Sequence, residues 1–221
     1  MTTIPTTTSS TSTRSGWAWA GAAAGLVAFV AFMTSGALSP TEDALASNEE
    51  VLAHVIDKEA IVWLFQVCCS VAALGTAVFA AGLRRRLAAQ APVQSLLPTL
   101  AAAGLGSVAL MLLVGGGIST ELFWQLLQDA GESDADTIAA NLAIFNTMAW
   151  VWAGIGLTTG SVAVAALRHG AFPRWLGWFS AVVTVLVAVT QVVPLQYMAA
   201  FAGAPWLLVA GIAMARQERT G

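Results

Sequence analysis

Four polar side chains in or beside apolar segments are the residues best suited to chemistry in this sequence. Gln66, Asn146 and Gln191 each lie in a different apolar segment, and Glu121 follows the run GGG at 115–117. Amides and carboxylates bind water, cations or polar ligands, and an unpaired one in hydrocarbon is costly. The role of these residues therefore depends on the depth at which each segment places them.

The segments that carry these residues are long enough to cross a bilayer. Of 221 residues, 57% are hydrophobic and 10% charged, whereas soluble domains carry about 25% charged residues. A spanning segment needs about 20 apolar residues, and it must be helical because hydrocarbon cannot satisfy backbone polar groups. We predict an all-α polytopic transmembrane bundle with six spans: Trp17–Leu38, Ala60–Leu83, Leu96–Ile118, Ile144–Leu167, Trp175–Val193 and Met198–Ala215.

The distribution of charge predicts the orientation of this bundle. If the N-terminus is cytoplasmic, eight of the nine basic residues fall inside and only Lys58 falls outside, while Glu218 is the only acid of twelve on the inner side. Basic residues in short loops stay cytoplasmic. We therefore predict that both termini are cytoplasmic and that the protein is a multi-pass protein of a bacterial-type plasma membrane.

The remaining segments are expected to be tails and partly helical loops. Residues 1–16 are rich in Thr and Ser and should form a disordered tail, residues 17–215 form the transmembrane domain, and residues 216–221 form a second tail. The outer loops are 39–59 and 119–143. In the first, the capping box Ser47-Asn48-Glu49-Glu50 predicts a helix that continues into the second span. Cleavage after Ser35-Gly36-Ala37 stays open, although the apolar run exceeds a usual signal core.

The length of the third span places Glu121. A helix from Leu96 to Ile118 rises about 35 Å, so Glu121 reaches the outer interface. The three glycines are expected to bend the chain there, into a short amphipathic helix that lies on the outer leaflet. By the same measure Gln66, Asn146 and Gln191 lie in the outer third of their spans.

Two functions fit these positions. The first is an outward-facing cleft, formed by Gln66, Asn146 and Gln191 with Glu121 at its mouth, for binding or passage of a small neutral or cationic molecule. The alternative is a structural or regulatory subunit that docks another membrane protein, or a second copy, through a small-residue face. Small residues allow close helix packing, and the fourth span carries Ala149, Ala153, Gly156, Gly160 and Ala163 at helical spacing, with Ala165 expected to face lipid.

The residue types do not form a recognisable catalytic or cofactor site. His54 and His169 fall on opposite sides of the membrane, and His169-Gly170 with Pro173 has the pattern of a helix stop. Cys68 and Cys69 are adjacent and lack C-x-x-C spacing. We therefore expect no cofactor, metal or nucleic-acid binding, and we place a membrane enzyme third, behind the two functions above. A divalent cation on the outer acids stays open, although their spacing does not match a calcium loop and a solvated acidic face is the simpler interpretation.

One short stretch carries a family resemblance. Phe172-Pro173-Arg174-Trp175-Leu176-Gly177-Trp178, between the fourth and fifth spans, resembles a segment of multi-pass bacterial integral membrane proteins of unknown function. Short basic inner loops and a longer outer loop are similar as well. The resemblance implies an integral membrane protein and supplies no catalytic residue.

Overall fold

The chain folds into eight α-helices over the residues that the computed structural model describes, which are 15–41, 46–127 and 134–220, with backbone alone at 146–149 and 219–220. No strand occurs in these ranges. The helices are α1 Gly16–Ser35, α2 Asn48–Val55, α3 Glu59–Gln90, α4 Leu97–Leu126, α5 Ala135–Thr147, α6 Ile155–His169, α7 Arg174–Val192 and α8 Ala199–Thr220. Three short 3₁₀ segments, Gly36–Leu38, Met148–Gly154 and Gln196–Met198, interrupt or extend them.

Six helical stretches in the described residues are long and apolar enough to span a membrane, which confirms the predicted all-α class and the predicted number of candidate spans. They are Gly16–Leu38, Glu59–Gln90, Leu97–Leu126, Ala135–His169, Arg174–Val192 and Gln196–Glu218. The fourth is not a uniform α-helix, because the 3₁₀ segment Met148–Gly154 separates α5 from α6. The sequence did not predict this change in geometry.

Two predicted features of the loops are wrong. The glycines at 115–117 do not end α4, which continues as one helix to Leu126 and includes Glu121. The helix that begins after Ser47 does not run into the second span, because a turn at residues 56–57 separates α2 from α3. The predicted cap itself is present, since the Ser47 hydroxyl accepts a hydrogen bond from the Glu50 amide at 3.2 Å. The predicted tail at 1–16 lies outside the described residues up to residue 14.

The six spans pack as a ring in chain order. Each span contacts the next, from α1 through α3, α4, α6 and α7 to α8, and α8 packs back against α1. Buried hydroxyl and indole groups link neighbours: the Thr158 hydroxyl donates to the Ala101 carbonyl at 2.8 Å, and the Trp206 indole donates to the Ser180 hydroxyl at 2.9 Å. Such groups would be costly to leave unpaired in an apolar interior.

The small-residue face of α6 packs within the chain. A methyl group at Gly160 would lie 3.5 Å from the Thr184 methyl of α7, and one at Gly156 would lie 3.3 Å from Val187. The expectation that Ala165 faces lipid is wrong, because its side chain is only 1% exposed. The side opposite the small residues is packed too, so α6 is enclosed on more than one face.

The two ends of the ring differ in composition, and we name them accordingly. The arginine end is where Trp17, Arg86, Phe172 and Glu218 meet. The acidic end is the opposite one, where Asn48 of α2 donates to Asp136 of α5 at 2.7 Å. Because Trp17 and Glu218 are in contact, the two ends of the described chain lie on the same side of the bundle.

Candidate functional site

A cavity of about 290 Å³ lies among the spans toward the acidic end. Its walls come from α1, α3, α4, α5, α8 and the three 3₁₀ segments. The described lining residues are Ala28, Ala31, Phe32, Met33, Ser35, Gly36, Ser39, Phe65, Cys69, Met111, Leu112, Gly115, Phe145, Val151, Trp152, Tyr197 and Phe201. The volume is close to the lower end of the range of about 300–1,000 Å³ for small-molecule pockets.

Each 3₁₀ segment contributes to this cavity. Gly36 comes from the end of the first span, Val151 and Trp152 from the middle of the fourth, and Tyr197 from the start of the sixth. A 3₁₀ helix has fewer residues per turn than an α-helix, so its side chains leave the α-helical register. The cavity therefore forms where three of the six spans depart from regular α-helical geometry.

The walls of the cavity are mainly aromatic and apolar. Phe32 of α1 and Phe201 of α8 meet edge to face with ring centroids 4.5 Å apart, and Phe65 of α3 meets Phe145 of α5 in the same way at 4.6 Å. The described lining contains no charged side chain. Serine hydroxyls add a little polarity, but that of Ser35 donates to the Phe32 carbonyl at 2.7 Å. Such walls suit a neutral, largely apolar ligand.

The cavity opens at the acidic end between α1 and α8. Met33, Tyr197 and Phe201 line it and are between 46% and 48% exposed. Toward the arginine end the cavity stops where α1 and α8 are in close contact. About one helical turn from Ala28 in that direction, a methyl group at Gly25 would collide with the backbone of Leu208. Helices can approach so closely only where one of them carries no side chain. The cavity is thus accessible from one end and closed toward the other.

Charged and aromatic groups close the arginine end. The Glu218 carboxylate accepts a hydrogen bond from the Trp17 indole at 3.2 Å and pairs with the Arg86 guanidinium at 3.3 Å. The same guanidinium donates to the Gln217 side-chain carbonyl at 3.0 Å and lies 5.2 Å from the centroid of the Phe172 ring. This cluster, which we call the Glu218 cluster, joins α1, α3, α8 and the turn before α7.

The sequence prediction did not include this cluster, although one signal was available. Glu218 is the only acid in the segments assigned to the basic side. A single carboxylate among several arginines is expected to form a charge-assisted hydrogen bond with one of them. Phe172 belongs to the stretch that carries the family resemblance, and it is only 4% exposed. Here it contacts the Arg86 guanidinium, so part of that stretch serves helix packing.

The residues predicted to form a polar cleft lie on different helices. Gln66 is half-buried on α3, Glu121 is exposed on α4 and Gln191 is exposed on α7, where it donates to the Thr190 hydroxyl at 3.4 Å. None of these three belongs to the described lining of the cavity. The side chain of Asn146 lies outside the described ones. The convergence of all four residues therefore stays a prediction.

Two aromatic residues that line the cavity are sequence neighbours of these amides. Phe65 precedes Gln66 and Phe145 precedes Asn146, and both phenylalanines line the cavity. The prediction relied on polar residues as the signal of a site, whereas the described walls of this cavity are mainly apolar. In the sequence, nothing distinguishes an aromatic side chain that lines a cavity from one packed in the core.

Polar contacts order the chain around the acidic end. The Asn141 amide of α5 donates to the Gln125 carbonyl of α4 at 2.9 Å, and the Lys58 ammonium donates to the Ala37 carbonyl at 2.7 Å. Asp134 caps α5, because it accepts hydrogen bonds from the hydroxyl and the amide of Thr137. The bond from the Thr137 hydroxyl is the main reason that the pKa of Asp134 lies below its ordinary value.

Asp129 and Glu132 lie outside the described residues. Binding of a divalent cation by the outer acids therefore stays an open question.

Comparison of the chain with protein-family models, with curated proteins and with solved structures finds no match. The inference of function therefore rests on the cavity and its surroundings.

Proposed function

We propose that this protein is a multi-pass membrane protein that binds a small, neutral, largely apolar molecule in the cavity near its acidic end. The observation that supports the proposal most strongly is the cavity itself, at about 290 Å³, with aromatic walls and exposed residues at one opening. A cavity lined by apolar groups is poorly hydrated, and such cavities bind apolar molecules of matching size.

Binding is favoured over passage by the packing at the other end. The glycine contacts between α1 and α8 and the Glu218 cluster hold the helices together there. A molecule that enters from the acidic end would stop at Ala28 and Leu112 unless these contacts separate. The protein is thus proposed as a receptor, carrier or sequestering protein for its ligand, with no enzymatic step.

The docking-subunit alternative is the second candidate, because part of its small-residue face packs within the chain. A methyl group at Gly156 would lie 3.3 Å from Val187, and one at Gly160 would lie 3.5 Å from Thr184. Both glycines are half-buried, so a partner would meet a face that α7 already uses in part.

Photolabelling tests the proposal directly. We expect adamantyl diazirine, a small apolar photoreactive probe, to modify lining residues such as Phe65 and Met111 in the full-length protein in liposomes. Ala31→Phe places a ring in the cavity, since Ala31 lines it and is 3% exposed, and it should abolish this labelling. Ala23→Phe on the exposed side of the same helix is the matched control. Equal labelling of the lining residues in wild type and Ala31→Phe would contradict the proposal.

The orientation is tested separately. The proposal places the arginine end in the cytoplasm, as the positive-inside rule predicts, so the cavity opens outward. Reporter fusions after Arg86 and after Asp136 should report inside and outside, respectively. Reports from the same side would contradict this topology.

A further inference from the structure

A second concave surface lies at the arginine end, on the outside of the ring, between the start of α7 and the last turns of α8. It encloses about 390 Å³. Val209, Ile212, Ala213 and Arg216 of α8 form its floor, and Trp175 of α7 stands on its other side. We call this surface the α7–α8 groove.

The spacing of the floor residues gives the groove a direction. Positions 209, 212, 213 and 216 recur every three or four residues, so they lie along one face of α8. With a rise of 1.5 Å per residue, Val209 lies about 10 Å along the helix from Arg216. The groove is therefore apolar toward the middle of the span and cationic at the arginine end.

This order of groups matches an anionic phospholipid. Arg216 is exposed at the cationic end of the groove, and Arg174 is exposed between two residues that line it, Pro173 and Trp175. Arginine binds phosphate through several N–H groups at once, and tryptophan prefers the headgroup region of a bilayer. The half-buried Val209, Ile212 and Ala213 would contact the first part of an acyl chain.

From this arrangement we infer that the α7–α8 groove binds one anionic phospholipid, with its phosphate at Arg216 and Arg174 and one acyl chain along Val209. The site is separate from the cavity, because it lies at the opposite end of the bundle and shares no lining residue with it. Gln217, which lines the groove, also accepts a hydrogen bond from Arg86. A bound lipid would therefore lie directly against the Glu218 cluster.

Lipid titration of the purified full-length protein, followed by native mass spectrometry, tests this inference. We expect phosphatidylglycerol to bind more tightly than phosphatidylcholine with identical acyl chains. Arg216→Gln should weaken phosphatidylglycerol binding about fivefold, the effect of removing one arginine near an anionic lipid surface. Arg216→Lys should retain part of the preference, because it keeps the charge. Inorganic phosphate at the same concentration should not displace the lipid.

Matched variants separate a site from general attraction to basic surface. Arg85 is exposed on α3 at the same end and is not a lining residue of the groove, so Arg85→Gln should leave binding unchanged. Ala213→Trp fills the groove without a change in charge and should also weaken binding, whereas Ala81→Trp on an exposed face of α3 should not. The inference is overturned if Arg85→Gln weakens binding as much as Arg216→Gln, if Ala213→Trp leaves binding intact, or if phosphate alone displaces the lipid.

Discussion

Helices α1 and α8 lie side by side along the whole bundle, yet they meet in different ways at its two ends. Near the arginine end, Gly25 of α1 lies against the backbone of Leu208, and Gly211 of α8 lies against that of Ala22. Near the acidic end the same pair meets through the rings of Phe32 and Phe201, whose centroids are 4.5 Å apart. The cavity lies beside these rings.

This difference shows how one pair of helices can be both a closed contact and a cavity wall. Without a hydrophobic driving force between spans, packing and hydrogen bonds hold helices together in lipid. Glycine allows backbone contact, which leaves no space, whereas bulky rings hold the backbones apart and fill the gap incompletely. At the arginine end the hydrogen bond from the Trp17 indole to Glu218 also joins these two helices, and Arg86 of α3 bonds to the same carboxylate.

Substitution of a closely packed glycine should have the largest effect and should show the difference between the two ends of the α1–α8 contact most clearly. Gly25→Leu forces a side chain against the Leu208 backbone, which cannot move aside as a flexible side chain could. We expect a loss in the free energy of unfolding at or above the usual overpacking range of about 1–3 kcal/mol. The thermal unfolding midpoint in detergent measures it.

Gly36→Leu is the matched control in the same span. A methyl group at Gly36 has nothing within 4 Å, and its backbone lies in the ordinary helical region with φ at −58°. We expect little change in the unfolding midpoint. If Gly25→Leu and Gly36→Leu behave alike, the two halves of the α1–α8 contact do not differ as described.

The Glu218 cluster should show the next largest effect. The Arg86 and Glu218 side chains are 17% and 18% exposed, so the pair is only partly screened by water. Glu218→Gln removes the charge that the guanidinium faces, and we expect a loss of about 1–2 kcal/mol. In the double variant with Arg86→Gln, the loss should be smaller than the sum of the single losses, because the two groups act on each other.

Glu121→Gln provides the contrast at the acidic end. Glu121 is an exposed carboxylate on α4, and surface charges of this kind contribute little. We expect the unfolding midpoint to stay within experimental error of the wild type. A destabilisation equal to that of Glu218→Gln would show that the exposed carboxylate is as important as the clustered one.

A third pair of variants compares two glycines that lie at different distances from their neighbours. At Gly160 a methyl group would lie 3.5 Å from the Thr184 methyl, an ordinary packing distance, whereas at Gly104 it would lie 2.5 Å from the Gly154 carbonyl oxygen. Gly160→Ala should therefore be neutral, or stabilising by up to about 1 kcal/mol because alanine favours the helix. Gly104→Ala should destabilise. Equal unfolding midpoints for the two variants would contradict the packing described at these two glycines.

The spans were predictable from the sequence because each depends on a local property, the length of an apolar run. The predicted span Trp175–Val193 corresponds to the helix Arg174–Val192, and each of the six predicted spans overlaps one of the six candidate spans in the described residues. The continuation of α4 past its three glycines was not predictable from composition, because helix ends depend on tertiary partners. Here Leu122 and Leu126 are at most 5% exposed, and their burial favours continuation of the helix.

The cavity was less predictable than the spans, because it forms where side chains from different helices leave space unfilled between them. Phe79 is fully buried, and it contacts Trp17 with ring centroids 5.4 Å apart, while Phe65 lines a cavity. The two residues have the same type and lie in the same helix. Their difference arises from the neighbours that other helices supply, and a single sequence does not reveal those neighbours.

The smallest expected effect concerns the cap of α5, which orders the chain beside the cavity. Because its folded pKa is lowered, Asp134 stabilises the first turn of α5 at pH above its unfolded-state pKa, and this contribution is lost as the pH falls through the folded pKa. The Thr137 N–H donates to the Asp134 carboxylate at 3.2 Å. Acidification should therefore reduce the protection of this amide from hydrogen exchange, beyond the change that the general pH dependence of exchange causes.

Asp134→Asn keeps an oxygen acceptor at the cap but does not titrate in this range. In that variant the additional pH dependence at Thr137 should disappear, while exchange in the glycine-packed half of α1 stays unchanged. If the additional dependence persists in Asp134→Asn, another group controls the start of α5.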